Sequence, residues 1–403
     1  MTAAITTPAD DARPLIPLAA DLPALSEKYA RFAAADGPVP LAELPVLSKD
    51  DFAAVRADVL ARARSRDHGT VVFGTGGTTS APKLSVMPGD LFIEEICAQW
   101  QPLRRDDVLL NCNTGSELGS MNPFYNRLAE QCGAAVVPLG GVGGDKLGRW
   151  LDFAADCGVT AIGATPSYLA TLLEFCAATG RDTSHFRKVV WTGERFSDHA
   201  AEVATRLLPD AEYHSVYGSS ETWVIGHNGP ECDRHTFHPM PYQHVEVDQD
   251  RVLVTNTHPR CVNPILRYQI GDRGEFVSCP CGRPDPALRI LGRMDQQVKF
   301  RSILFVPQEL ADTALDDPEV RDVQIAVYES GTPGERMHVR IRPAAGADAD
   351  ALCARLRVRL LEEHYRVHGE VAGDEDGFRV RADAEFTRNE RTNKTPLLVR
   401  EES

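Results

Sequence analysis

The 403-residue chain lacks any apolar run approaching the length of a membrane-spanning helix. Its opening stretch, MTAAITTPADDARPLIPLAADL, carries early acids and prolines where a secretory leader would have a basic patch and an apolar core. A cytoplasmic protein with no membrane partner is therefore expected. Positive charge is also scarce: 43 Lys and Arg against 58 Asp and Glu leave a net charge of -15. That balance argues against nucleic acid as a partner, while a local basic pocket for phosphate stays open. Internal repeats and long low-complexity segments are missing, which excludes an array or a disordered scaffold. The ten cysteines are scattered; in such a chain they read as reduced thiols or metal ligands, not as a disulfide framework.

Two familiar phosphate loops are absent as well, although FGTGGTTSAPK, Phe73 to Lys83, gathers glycines and hydroxyls ahead of one lysine. A Walker A loop needs glycine immediately before its lysine, and here Pro82 precedes Lys83. A dinucleotide fingerprint needs a third glycine where Thr79 stands. What remains is a stretch whose backbone can approach a ligand closely and whose Ser and Thr side chains add donors, a natural phosphate cradle. A plain Gly/Thr surface turn is the bland alternative.

The length suggests two or three domains. From Ala134 onward AAVVPLG, VTAIGA, KVVWTGE and EYHSVYG read as short strands separated by helix-length amphipathic segments, a pattern that predicts a parallel sheet covered by helices. The connection after TAIGA opens Thr165-Pro166-Ser167, a helix start with proline at its first position. Ligands of such sheets gather in the loops leaving the carboxyl ends of strands, which here are ATPS, TGER and YGSSE. VEVDQDRVLVTNTH and LRYQIGDRGEFVS predict a β-rich subdomain next. The last hundred or so residues pair the strand-like VRDVQIAVYE and MHVRIRP with the helical DADALCARLRVRLLEEHY, a small α+β module whose boundary falls near GRMDQQVKF. The fold class expected is thus α/β, with a large N-terminal domain, a β-rich subdomain and a small, mobile α+β C-terminal domain.

Taken in order, TGGTTSAPK, GATPSYL, VVWTGERFS, YGSSE, RYQIGD, GRMDQQVKF and RTNKTPL resemble the motifs of the adenylate-forming superfamily, which joins acyl- and aryl-CoA ligases, peptide-synthetase adenylation domains and luciferases. LAELPVLSKDDF adds a likeness to the phenylacetate-CoA ligase branch, so the resemblance spans almost the whole chain. It implies an adenylation core over residues 1–293 and a mobile lid over 294–403, turning at a hinge at Asp295. It also implies that ATP and an acid, aromatic in that branch, form an acyl-adenylate with loss of pyrophosphate, and that the acyl group then passes to a thiol, CoA first of all.

By the same resemblance Thr75, Gly76, Gly77, Thr78, Thr79 and Lys83 hold the β- and γ-phosphates. Glu221 is the Mg²⁺ ligand, because a carboxylate beside phosphates repels them without a cation. Tyr217, with Gly218 and Ser219 of the same motif, stacks on adenine opposite Gly193 and Glu194, and Asp272 takes the ribose hydroxyls. Arg293 neutralises phosphate or bonds the ribose, and Lys394 brings a movable ammonium to the attacking carboxylate and α-phosphate. Tyr168, Trp223 and the NTGSELGSMNPFY segment around Asn122 are candidates for the acid slot. Each has a bland counterpart: Asp272 as a turn cap beside Gly271, Tyr217 as core, Arg293 and Lys394 as solvated charges.

The sequence departs from the pattern at Ser80, Ser302 and Asn393, where the family carries glycine. Ser302 bears on the thiol-transfer face, so the second half-reaction is the less determined. A carrier-protein thiol or an amine is the alternative acceptor, and a non-catalytic nucleotide-binding relative is a third reading. A homodimer is compatible with all three.

SCPCGRP and ECDRHTFHP bring a second chemistry. Cys279, Cys281 and Cys232 with His235 or His238 could close a tetrahedral Zn²⁺ site of the structural kind; His238 is the better fourth ligand because the larger loop lets its ring turn toward the others. Free reduced thiols are the even alternative.

Overall fold

The computed structural model describes residues 3–4, 11–77, 80–115, 118–143, 146–294, 298–301, 303–332, 334–372, 374, 376–389 and 394–401, with backbone alone at 3–4, 75–77, 80–83 and 304. Two compact units account for it: residues 1–165, 182–195 and 210–292 form the first, and 166–181, 196–209 and 293–403 the second.

A 12-stranded sheet runs through the first unit. In one half Ala135–Val137 lies at the edge, followed by Val108–Asn111, Ala161–Ala164, Lys188–Thr192 and Glu212–Ser219, all parallel. The residues of AIGA and KVVWT are buried throughout, as expected of interior parallel strands covered on both faces. Trp223–Asn228 then reverses direction against Glu212–Ser219. From there Thr236–Pro239, Ala287–Arg293, Tyr268–Val277, Arg251–Asn256 and Gln243–Asp248 carry the sheet on to Ala3–Ala4 at its far edge. The β-rich region predicted as a subdomain is therefore a continuation of the parallel sheet, with Trp223–Asn228 as the link.

At the amino ends of the parallel strands a buried carboxylate fixes their registration. Asp107 accepts from Lys188 Nζ at 2.7 Å, Thr160 Oγ1 at 2.9 Å and the Arg104 N–H at 2.8 Å. Those contacts sit just before three neighbouring strands, leaving the carboxyl ends for chemistry.

The helix Met121–Cys132 turns Phe124, Tyr125, Leu128 and Ala129 inward, and stops at Gly133, where φ is +72°. A glycine tolerates that left-handed turn where other residues are strained. Phe124 and Tyr125 join Phe73, Phe92, Trp100, Val190 and Trp223 in one apolar cluster of this unit. The stretch Thr70–Gly77 pairs antiparallel with Ser80–Pro88, so the Gly/Thr segment read as a loop after a strand is a hairpin with extended arms on both sides.

The second unit contains a four-stranded sheet in the order Phe378–Ala382, Arg336–Pro343, Val320–Tyr328, Leu398–Glu401. The helix Ala349–Glu363 lays Leu352, Leu356, Leu360 and Leu361 into its core with Ile325, Val339 and Phe378. The alternating VRDVQIAVYE and MHVRIRP do form its central pair. No helix among the described residues is long and apolar enough to cross a membrane.

Candidate active site

The hairpin of the Gly/Thr segment is the first component. Its register sets Thr75 opposite Lys83 and Gly77 opposite Ser80, with a bulge between Thr75 and Gly77. Thr78 and Thr79 lie outside the described residues. The Gly74 N–H donates to the Leu118 carbonyl at 3.1 Å, and Leu118 adopts φ +64°, a strained angle for a leucine. Its side chain lies over Gly74, where an added Cβ would come within 3.0 Å of Leu118 Cδ1.

The YGSSE turn is the second. Tyr217, Gly218 and Ser219 end the strand Glu212–Ser219, and the ladder slips between Tyr217 and Gly218. A Cβ on Gly218 would stand 2.1 Å from the Trp223 carbonyl oxygen, so only glycine fits there. Ser219 and Thr222 hydroxyls meet at 3.0 Å, and the Thr222 N–H donates to Ser219 Oγ at 3.2 Å. The turn is thereby closed on itself, with Glu221 held within it, 7% exposed. Among the described residues its carboxylate has no hydrogen-bond or ion-pair partner, which suits a group that meets a cation.

Tyr217 reaches across to the RYQIGD strand and donates to Asp272 Oδ2 at 2.6 Å. Its ring stacks against Phe237 at 5.2 Å. Asp272 is buried beside Gly271, whose φ is +89°. Gly193 of TGER, with φ +93°, is exposed next to the half-buried Glu194, just past the strand Lys188–Thr192. The structure thus draws two separately read motif residues, Tyr217 and Asp272, into contact.

The residues read as an acid slot fare differently. Trp223 is 1% exposed, and its ring lies between Phe73, stacked at 5.6 Å, and Phe124, edge-on at 5.6 Å. It belongs to the apolar cluster of this unit. Tyr168, in the helix Pro166–Ala178, is buried at 4%. Asn122 belongs to a group of four asparagines, of which Asn111 and Asn126 lie outside the segment read from the sequence. Asn111 Nδ2 donates to the Asn122 carbonyl at 3.0 Å and to Asn126 Oδ1 at 2.9 Å. Asn122 Nδ2 donates to the Asn113 carbonyl at 2.7 Å. These amides fix the carboxyl end of the strand Val108–Asn111, a strand that its four residues of VLLN do not announce.

A further missed residue is Asn263. It is 1% exposed and bridges the hairpin to the turn: its amide nitrogen donates to Ser85 Oγ at 3.0 Å and to the Glu221 carbonyl at 3.1 Å, while its oxygen accepts from the Val86 N–H at 3.1 Å. In the sequence it is part of an Asn-Pro pair, an ordinary turn signal.

Arg293 is exposed at the end of the strand Ala287–Arg293. Lys394 is half-buried in the second unit, and its carbonyl accepts from the Asn389 N–H at 2.9 Å. Asp295, Ser302 and Asn393 lie outside the described residues.

Cys232, His238, Cys279 and Cys281 converge, their ligand atoms all within 4.8 Å of one another. Gly282, at φ +78°, turns the Cys279-Pro280-Cys281 segment back, and its N–H donates to the Cys279 carbonyl at 3.2 Å. Cys281 Sγ lies 3.2 Å from His238 Nε2. Burial pushes the Cys232 thiol up to about 12. At Cys281 burial also acts upward, but the Arg283 backbone N–H and the neighbouring thiols outweigh it and bring that thiol below its usual value. Burial lowers His238, as does the Arg283 charge, and so favours the neutral ring. Three thiols and a neutral imidazole at this spacing are the donor set of a closed tetrahedral zinc site. His238, not His235, is the histidine in the group.

Residues 3–275 match the family model for AMP-binding enzymes. Indoleacetate–lysine synthetase of Pseudomonas savastanoi is 25% identical over 240 residues, 57% of this chain and 58% of that one. A hybrid PKS-NRPS synthetase, mycA, of Thermothelomyces thermophilus is 25% identical over 348 residues, 74% of this chain and 8% of that one. The chain therefore spans little more than half of the first relative and a small part of the second. Among solved structures, 2-hydroxyisobutyryl-CoA ligase in its postadenylation state with 2-HIB-AMP superposes with a TM-score of 0.68 at 17% identity, over 98% of this chain and 91% of that one. Anthranilate CoA ligase AuaEII with anthranoyl-AMP gives 0.53 at 16% identity, over 80% and 65%. These two share the fold.

Proposed function

Because the chain belongs to the AMP-binding enzyme family, we propose that it activates a carboxylic acid with ATP and hands the acyl group to a nucleophile. A carboxylate oxygen attacks the α-phosphorus, the bond to the bridging oxygen breaks, and pyrophosphate carries away that electron pair. The acceptor then attacks the acyl carbon of the adenylate, the bond from that carbon to the phosphate oxygen breaks, and AMP leaves with the electron pair while the acceptor gives up its proton. The observation that carries this reading is the 2.6 Å contact of Tyr217 with Asp272, beside a turn whose buried Glu221 is tied through Asn263 to the glycine-rich hairpin.

Tyr217 and Gly218 take one face of adenine, with Gly193 and Glu194 on the other, and Asp272 takes the ribose hydroxyls. The hairpin amides from Thr75 to Lys83, with the hydroxyls of Thr75, Thr78 and Thr79, receive the β- and γ-phosphates. Glu221 is the residue to hold Mg²⁺, which neutralises the triphosphate. Lys394 supplies the ammonium that lets two anions approach, Arg293 offsets phosphate charge, and Asp295 is the hinge between an adenylation core, residues 1–293, and a lid, 294–403. Asn122 and Tyr168 flank the acid. The Cys232, His238, Cys279, Cys281 group holds a structural Zn²⁺ away from these steps.

An aromatic acid is the substrate class favoured, in keeping with the aryl groups named for the indoleacetate and anthranilate enzymes. CoA is the first acceptor to test. An amine is the second reading, favoured by a relative whose name joins an acid to lysine. Hydroxylamine trapping of adenylate across aryl and alkyl acids, repeated with CoA and with lysine, separates the acid class and the acceptor. Lys394→Ala is expected to lower adenylation by a factor on the order of 10² to 10³. Unchanged activity in that variant would favour the non-catalytic reading.

A further inference from the structure

Two buried side chains fasten the hairpin to the YGSSE turn from different sides. Trp223 follows the turn by one residue and holds the first arm and the segment just after the second. Its ring stacks on Phe73 of the first arm at 5.6 Å, with only 7° between the planes. Its Nε1 donates to the carbonyl of Leu91, just beyond the second arm, at 2.9 Å. Asn263 completes the attachment by binding Ser85 and Val86 of the second arm together with the Glu221 carbonyl.

The local backbone is shaped around these grips. Trp223 has φ +67°, and Leu91 and Phe92 have +60° and +54°. Three non-glycine residues in left-handed conformation are costly, and such strain persists only where surrounding contacts over-determine it. Here those contacts are visible. Gln243 Nε2 donates to the Thr222 and Val224 carbonyls at 2.7 and 3.1 Å, on either side of Trp223. Gly218 presses on the Trp223 carbonyl so closely that no Cβ could be added. A tryptophan needed only for its volume would not require a strained backbone and a directed indole bond.

We infer that Trp223 and Asn263 are positioning residues that set the distance between the phosphate-binding hairpin and Glu221, and through it the affinity for the metal-bound β- and γ-phosphates. The inference rests on the proposed use of ATP. Neither side chain contacts the nucleotide. Their effect falls on the triphosphate, which is held from both components at once, and spares AMP, which needs only the adenosine contacts and one phosphate. Misplacing one wall of such a site by an ångström is enough for a large loss.

The test compares MgATP and AMP dissociation constants by calorimetry for the full chain and for Asn263→Ala, Ser85→Ala and Trp223→Phe, with melting curves for each. Trp223→Phe keeps a ring against Phe73 and removes the bond to Leu91. Each variant is expected to bind MgATP about tenfold more weakly while AMP stays within about twofold, and the KM for the acid is unchanged. Asn263→Ala with Ser85→Ala should be no worse than Asn263→Ala alone, because the bond between Ser85 and Asn263 is already lost among the three that Asn263→Ala removes. Equal losses for ATP and AMP, or folded variants with unaltered ATP affinity, would overturn the inference. Should Trp223→Phe fail to fold, the Asn263 and Ser85 variants decide the matter alone. If the unaltered chain binds neither nucleotide, the proposed function fails and this inference falls with it; if it binds both and only the selectivity is missing, the inference alone fails.

Discussion

Tyr217 and Asp272 show what a single residue gains from a partner distant in sequence. The phenol donates to the carboxylate at 2.6 Å, a short charge-assisted bond that also fixes the direction of the remaining carboxylate lone pairs. Tyr217→Phe would keep the ring on Phe237 while removing the hydroxyl that donates to Asp272 Oδ2. That change should cost about 1.5 to 3 kcal/mol of stability, with nucleotide affinity falling a few-fold. Asp272→Asn should weaken AMP by more than tenfold, on the order of the loss of two hydrogen bonds, with acid binding untouched. A denaturation curve and an AMP titration check both. Motif residues such as these were legible because their chemistry is written in their type and order. Asn263 was not, since its meaning lies in Ser85 and Glu221, 178 and 42 positions away. Trp223 was legible as a residue beside the turn, while its stacking on Phe73 and edge contact with Phe124 were not, because an aromatic after a motif says nothing of which way its ring turns.

At the scale of elements, the parallel strands announced themselves by short apolar runs between helical segments. The hairpin did not, because glycines and threonines carry no alternation of apolar and polar residues and its arms are extended by pairing alone. The cysteine turn lies between these cases: two short sequence fragments named the four residues, and the antiparallel neighbours in the sheet bring them together. Thr236–Pro239, which carries His238, pairs with both Trp223–Asn228 and Ala287–Arg293. A metal there would lock the loop of Cys232 and the turn of Cys279 and Cys281 onto that strand. Mass spectrometry of gently purified protein should find about one zinc per chain, as a closed four-ligand site holds. Cys279→Ser should bring it below about a tenth and lower the melting temperature. Titration of all ten cysteines by a thiol reagent in the unfolded protein, with no zinc released, would instead show free thiols.

For the whole molecule, the net charge of -15 means that the surrounding field repels a triphosphate, so binding must come from amides, hydroxyls, a metal and a few cations placed close to the ligand. Such a site rewards a ligand that fills every part at once. An acyl sulfamoyl-adenosine of the right acid joins the two substrates covalently, and its second half binds without a further loss of translational and rotational freedom. At a thousand times its dissociation constant it would add about 4 kcal/mol to the folded state. The melting temperature should therefore rise on the order of 5 to 10 °C, while AMP and the free acid, each at the same concentration, give increments whose sum is smaller. A mimic that does no more than AMP would show that the adenosine half is bound and the acid half is not, which would leave a nucleotide site and remove the acid-activating one.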